Sequence, residues 1–121
     1  MLIEILKPDF EFSDERGCLT QLVHQGFKQF NIIFSKKDVL RGNHYHKENR
    51  EAFFVISGSC NLTAMKDGLI EEYVFKSGDM FLIPQYVIHS FFYTDDTWLS
   101  SMYDLGVEHD DGTKDIYTGK N

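Results

Sequence analysis

Gly42-Asn43-His44-Tyr45-His46, followed by Glu51 and Gly58, is the stretch on which the reading of this 121-residue chain turns. A second stretch answers it, running from Gly78 through Pro84 to His89. Side chains in a strand repeat every second residue, so His44 and His46 share one face. Glu51 opens the run Glu51-Ala52-Phe53-Phe54-Val55-Ile56-Ser57, and His89 lies in Val87-Ile88-His89-Ser90-Phe91-Phe92-Tyr93. Three imidazoles and a carboxylate form a mixed nitrogen and oxygen donor set. Such a set fits zinc, iron, manganese or nickel and leaves room for water or substrate. The plainer reading is a polar cluster satisfied by hydrogen bonds, but burying three histidines without a task costs desolvation.

Outward from these motifs the chain reads as strand and turn. Short apolar runs recur near 2–6, 18–24, 28–34, 42–46, 51–57, 59–66, 70–76, 80–83, 87–93 and 96–103. That spacing belongs to sandwiches and barrels. Asp67-Gly68 predicts a tight hairpin turn, since both residues tolerate positive φ. Alternation puts Glu51, Phe53 and Val55 on one face, with Phe54 and Ile56 on the other. It likewise puts His89, Phe91 and Tyr93 inward, with Ile88 and Phe92 outward. Strands that are apolar on both faces need covering on both, which predicts a homodimer through one sheet. Trp98, Tyr86 and Tyr93 are expected to pack in the core, and His24 and His109 to lie on the surface. The chain is expected to be one domain over 1–121, with a polar loop or lid from about 104 before Ile116-Tyr117.

Composition narrows the classes. Eleven Phe, six Tyr and one Trp supply a core that needs no disulfide staple. Cys18 and Cys60 fall in strand-like runs and read as reduced core thiols, which predicts a cytoplasmic protein. The apolar runs are too short to cross a bilayer, and Met1–Leu6 reads as a first strand, not a targeting peptide. A net charge of −7 argues against a nucleic-acid partner. Residues 36 to 50 nevertheless carry five basic side chains against two acidic ones, a local +3 in a chain whose remainder is −10. Such a rim suits an anionic small molecule, although a solvated loop has the same composition.

The two motifs resemble those of the cupin superfamily, whose pattern is G, HxH, four residues, E, six residues, G, then G, five residues, P, four residues, H. The resemblance implies an all-β fold, a single cupin β-barrel (a double-stranded β-helix or jelly roll). Tyr86 and Tyr93 stand where the pattern carries a second Gly and a final Asn. Asp14-Glu15-Arg16-Gly17 and Leu40-Arg41-Gly42-Asn43-His44-Tyr45-His46-Lys47 further resemble the nucleotide-sugar 3,5-epimerases and the 4-keto-6-deoxyhexose 3,4-ketoisomerases. Tyr103-Asp104 is similar to a late Y-D of the ketoisomerases. The His44, His46 and Glu51 segment also resembles the metal-binding cupin half of capsular-polysaccharide reductase/epimerases. The chain departs in lacking a ketoisomerase tyrosine within Phe30-Asn31-Ile32-Ile33-Phe34, and in placing Glu51 where those enzymes have Gln.

The resemblance implies an isomerase or epimerase of a nucleotide-linked 4-keto-6-deoxy sugar in surface-polysaccharide biosynthesis. A base takes the proton beside the carbonyl, an enediolate forms, and an acid returns the proton. In this reading His44 is the base, His46 its neighbour in proton transfer, and Arg41 steadies the oxyanion. Arg16 would hold a phosphate, across a subunit interface, and Lys47, Tyr93 and Tyr103 would contact substrate. The expected metal ligands are His44, His46, Glu51 and His89, with no organic cofactor. These roles conflict, because a histidine whose lone pair binds a metal cannot accept a proton. With a metal bound, the base would be Tyr93, Tyr45, Lys37 or His24; without one, Glu51 would orient and charge His46. Two other classes remain open: a metal-dependent oxidative enzyme such as a small dioxygenase, and a non-catalytic sugar or metabolite-binding module.

Overall fold

The computed structural model describes residues 1–119. Its strands are β1 (Glu4–Leu6), β2 (Phe10–Asp14), β3 (Gly17–Gln21), β4 (Gln29–Ser35), β5 (Leu40–Tyr45), β6 (Glu51–Ser57) and β7 (Ser59–Lys66). They continue with β8 (Leu69–Lys76), β9 (Met80–Ile83), β10 (Ile88–Tyr93), β11 (Thr97–Tyr103) and β12 (Tyr117–Thr118). One five-stranded sheet runs β1-β9-β6-β11-β4 and the other β12-β5-β10-β7-β8. All their pairings are antiparallel. From β4 onward the chain crosses between sheets at almost every connection, which wraps it into the expected all-β jelly roll.

The inner faces enclose Phe53, Val55, Leu62, Phe75, Phe81, Ile83, Phe91, Tyr93 and Leu99. The alternation read from sequence holds here: Glu51, Phe53 and Val55 are buried while Ile56 is exposed, and His89, Phe91 and Tyr93 are buried while Phe92 is exposed. Asp67 and Gly68 take φ of 51° and 80°, both positive as the hairpin turn requires. The outer face of the first sheet is covered in part, where Leu22, Val23 and Phe27 pack on Ala52, Met80, Leu82 and Met102.

The rest of that face is bare. Phe30, Ile32 and Phe34 on edge strand β4 stand 59%, 62% and 38% exposed beside Trp98 and Ile56. Trp98, expected to fill the barrel, points outward because its alternation partner Leu99 takes the core position, and it packs on Phe34 at 4.9 Å. Strand β2 was absent from the sequence reading, since Phe10-Glu11-Phe12 is too short a run to stand out. It pairs with β3 as a separate hairpin in which Phe10, Phe12, Leu19 and Cys18 are exposed. Cys18 is therefore no core thiol, whereas Cys60 is buried. Tyr86 is 52% exposed and adopts φ of 67°, the left-handed turn geometry that favours the Gly of the motif.

Candidate functional site

An irregular strand carries His44 to the cavity wall and His46 into the barrel interior. On β10, His89 pairs with His44 but the next residue, Ser90, pairs with Gly42, so Asn43 is an extra residue in β5. Such a bulge re-aims the side chains that follow it. Asn43 adopts φ of 59°, and its backbone N–H donates to Ser90 Oγ at 2.9 Å. Gly42 has φ of 123°, and a Cβ there would meet the His89 carbonyl oxygen at 2.6 Å. Only a residue without a side chain fits.

The bulge, the start of β6 and the middle of β10 converge on a cavity of about 260 Å³. Its walls include Arg41, His44, His46, Glu51, His89, Tyr93 and Tyr103. Ile33, Phe53, Phe91, Leu99 and Ile116 complete them with apolar surface. Seven of the residues singled out from sequence thus meet in one chamber. Arg16 and Lys47 do not. Arg16 sits at the exposed tip of the β2–β3 hairpin, paired with Asp14 at 2.6 Å. The Lys47 ammonium lies over the Tyr117 ring at 4.2 Å. Of the alternative bases, Tyr93 lines the chamber, while His24 pairs with Asp9 on the surface and Tyr45 stacks on Tyr86 and Tyr117.

Among the described residues, donor atoms of His46, Glu51 and His89 lie within 4.8 Å of one another, all three residues buried. His44 was expected as a fourth ligand but stands outside this group. It lines the same cavity from an exposed position, whereas His46 has passed the end of β5 into the interior. The ring orientations follow from their partners. His46 Nδ1 lies 2.7 Å from the Asp115 carbonyl and His89 Nδ1 lies 3.1 Å from the Val87 carbonyl. A carbonyl only accepts, so each ring carries a proton on Nδ1 and turns Nε2 inward. The two Nε2 atoms approach Glu51 Oε1 at 3.1 and 3.5 Å. Ser101, which sequence reading passed over, donates its hydroxyl to Glu51 Oε2. Its position two residues before Tyr103 on the same face was the available signal.

Electron pairs facing one another at such distances call for a cation among them, a proton or a metal. Burial alone would lower the His46 pKa, but the Glu51 carboxylate outweighs it and the net shift is upward. Burial alone would raise the Glu51 pKa, and the two histidines with Ser101 reverse it, so the group stays anionic. His89, wholly enclosed, is pushed down and stays neutral. Burial raises Tyr103, and the neighbouring Glu51 charge adds to the effect. Two neutral Nε2 lone pairs and one carboxylate oxygen fit a divalent ion of borderline softness, so the trio could hold a metal.

A family model described as the polysaccharide biosynthesis C-terminal domain matches residues 12–103. The chain belongs to the polysaccharide biosynthesis C-terminal domain family. Its solved neighbours share the fold. A variant of the 3,4-ketoisomerase QdtA from Thermoanaerobacterium thermosaccharolyticum, in complex with TDP-4-keto-6-deoxyglucose, superposes with a TM-score of 0.78 at 17% identity, over 96% of this chain and 86% of that one. The dTDP-4-dehydrorhamnose 3,5-epimerase of Sulfolobus tokodaii gives 0.72 at 23% identity, over 100% of this chain and 73% of that one. The capsular polysaccharide assembling protein CapF of Staphylococcus aureus gives 0.68 at 23% identity, over 93% of this chain and only 34% of CapF. No curated protein matches the chain in sequence. No helix among the described residues of this family member is long and apolar enough to cross a membrane.

Proposed function

We propose that this cupin isomerises or epimerises a nucleotide-linked 4-keto-6-deoxy sugar by moving a proton beside the carbonyl. The observation that carries the reading is the division of labour inside one chamber. His44 lines it but is outside the buried trio of His46, Glu51 and His89. This arrangement supports His44 as the base, because a metal on the trio would leave the His44 lone pair available for a proton. A chamber of about 260 Å³ falls at or below the usual few-hundred-Å³ range for whole ligands. It suits the sugar ring, with the nucleotide left at the mouth beside Arg41.

In the proposed step His44 takes the proton on the carbon next to the ketone, and the electron pair moves onto the carbonyl oxygen as an enediolate. In isomerisation the adjacent hydroxyl proton passes to the former carbonyl oxygen. The His44 imidazolium returns its proton to the former carbonyl carbon on the same face, leaving the ketone on the carbon that was deprotonated. In epimerisation a second acid, Tyr93 or Tyr103, protonates the opposite face and both groups reset through water. Arg41 faces the developing negative charge, and Tyr93 and Tyr103, both held protonated by burial, offer hydroxyl donors. Without a metal, Glu51 favours the charged form of His46 beside the same oxygen, against the effect of burial. A zinc, iron, manganese or nickel ion held by His46, Glu51 and His89 would instead supply Lewis acidity to the carbonyl.

Assembly follows from the uncovered surfaces. The Phe30, Ile32, Phe34, Trp98 and Ile56 face supports a homodimer, and the apolar hairpin Phe10, Phe12, Leu19 extends the same need for cover. In such a dimer Arg16, remote from its own chamber, would serve the partner's substrate phosphate, and Lys47 would stay at the rim. The free Cys60 thiol and a nucleotide-sugar substrate suit the cytoplasm.

Incubation in heavy water with a panel of TDP- and UDP-linked 4-keto-6-deoxy sugars tests the reading. Deuterium should enter the sugar next to the carbonyl with the wild type and not with His44→Gln. No exchange with any member of the panel would sink it. The buried trio also favours a second reading, a metal-dependent dioxygenase, which requires oxygen consumption by the Fe(II)-loaded protein with a small organic substrate.

A further inference from the structure

The segment after Asp104 lies beyond the residues that the family model matches, yet it grips the histidine-bearing strand at both ends. Asp115 is fully buried. Its Oδ1 accepts the Lys47 backbone N–H at 2.8 Å, and its Oδ2 accepts those of Glu48 and Asn49 at 2.9 and 3.0 Å. The Asn49 amide adds a fourth donor at 2.9 Å. Asn49 is itself fully buried, and its Oδ1 accepts the N–H groups of Leu105 and Gly106 at 3.0 and 2.9 Å. The loop after His46 is therefore folded around a carboxylate contributed from 66 residues away.

Four residues on, the strap closes over the bulge. Tyr117 and Thr118 pair with Tyr45 and His44. Gly119 N–H donates to the Asn43 carbonyl at 2.7 Å, and the Asn43 amide returns a bond to the Gly119 carbonyl at 3.1 Å. Held at both points, the strap brings the Asp115 carbonyl to 2.7 Å from His46 Nδ1. The segment read from sequence as a loop or lid is in this structure pinned to the site.

We propose that Asp115 is a positioning residue: its carboxylate seats the strap so that its own carbonyl fixes the tautomer and aim of His46. The inference rests on the reading that His46 serves the site. With Nδ1–H committed to a carbonyl, Nε2 is obliged to face Glu51 and the chamber. Were the strap released, Nδ1 would lose its acceptor. The ring would then place a proton on Nε2, against Glu51, and withdraw its lone pair from the trio. His89 does not share this dependence, because its acceptor, Val87, lies on its own chain segment two residues away.

The experiment uses full-length, metal-free, histidine-labelled protein at about pH 9, above the imidazole range, where long-range proton–nitrogen NMR reads each tautomer. Wild-type His46 and His89 should both be Nδ1–H. Asp115→Asn, which sets an NH₂ against backbone donors, should move His46 to the Nε2–H form or to a mixture while His89 stays unchanged. Zinc alone, titrated calorimetrically, should bind the variant about 10- to 100-fold more weakly. An Nε2–H His46 in the wild type overturns the proposal without any variant. So does an Asp115→Asn protein with wild-type tautomer and zinc affinity. If His89 is also lost, the variant has unfolded and the wild-type spectrum decides. Both readouts are independent of turnover, so a failed sugar-exchange assay would leave this result standing.

Discussion

Replacing Glu51 by Gln keeps the shape of the residue that joins His46, His89 and Ser101 but removes its charge. In the wild type the largest influence on His46 is burial, which disfavours the imidazolium, and the Glu51 contacts reverse it. Without the carboxylate the burial effect is opposed only by the Asp115 carbonyl and the Asp115 charge, so the His46 pKa should fall from its raised position. At about 4 Å and an effective dielectric near 20, one charge pair is worth roughly 4 kcal/mol, an upper figure equal to about three pKa units. The stability consequence has a definite sign. A raised folded-state pKa stabilises fully below the unfolded value and ceases to do so as pH rises through the folded one. The variant should therefore lose about 3 kcal/mol at a pH below the ordinary imidazole value of 6.5. The deficit should shrink by about 1.4 kcal/mol for each pKa unit that separates His46 in the two folded proteins, once His46 is neutral in both. NMR titration of the metal-free histidines, with urea unfolding at the two pH extremes, measures both quantities. A His46 pKa that stays raised in Glu51→Gln, or a stability deficit independent of pH, would refute the reasoning.

Gly42→Ala should cost about 3 kcal/mol in urea unfolding, because its Cβ would meet the His89 and Ser90 backbone at 2.6 and 2.7 Å. Gly68→Ala, at φ of 80° but with open space around it, should cost only about 1 kcal/mol. Arg41→Met should lower kcat/KM for the keto-sugar nucleotide by about 10- to 100-fold, with Arg41→Lys recovering part of the loss, since a lysine keeps the charge but not the planar fork. Ile32→Glu, in the middle of the bare face, should convert a dimer into a monomer by sedimentation. Isotope exchange should fall with it if Arg16 serves the neighbouring chamber.

Much of the site was legible because its signals are local. The paired motifs carried His44, His46, Glu51 and His89 to one chamber, and two-residue alternation placed Phe53, Val55, Phe91 and Tyr93 on the inner face. Side chains on one strand take their facing from their neighbours, and that rule needs no knowledge of the fold. The same rule misplaced Trp98. Strands apolar on both faces do not reveal which set faces the core, and Leu99 occupied it.

Sequence alone determined the run of short strands, the mixed nitrogen and oxygen donor set and the turn at Asp67-Gly68, because each depends on residue type and spacing within a short window. The jelly roll itself was implied only by the resemblance of the two motifs to a known family. Tertiary structure alone decided which histidines stand together. The extra residue at Asn43 and the burial of His46 past the end of β5 separated His44 from the trio. It alone left Arg16 outside the chamber that Arg41 lines, and supplied the Asp115 carbonyl that meets His46 from 69 residues away. Contacts of that range arise from the packing of two sheets and a returning strap, and periodicity along the chain carries no record of them.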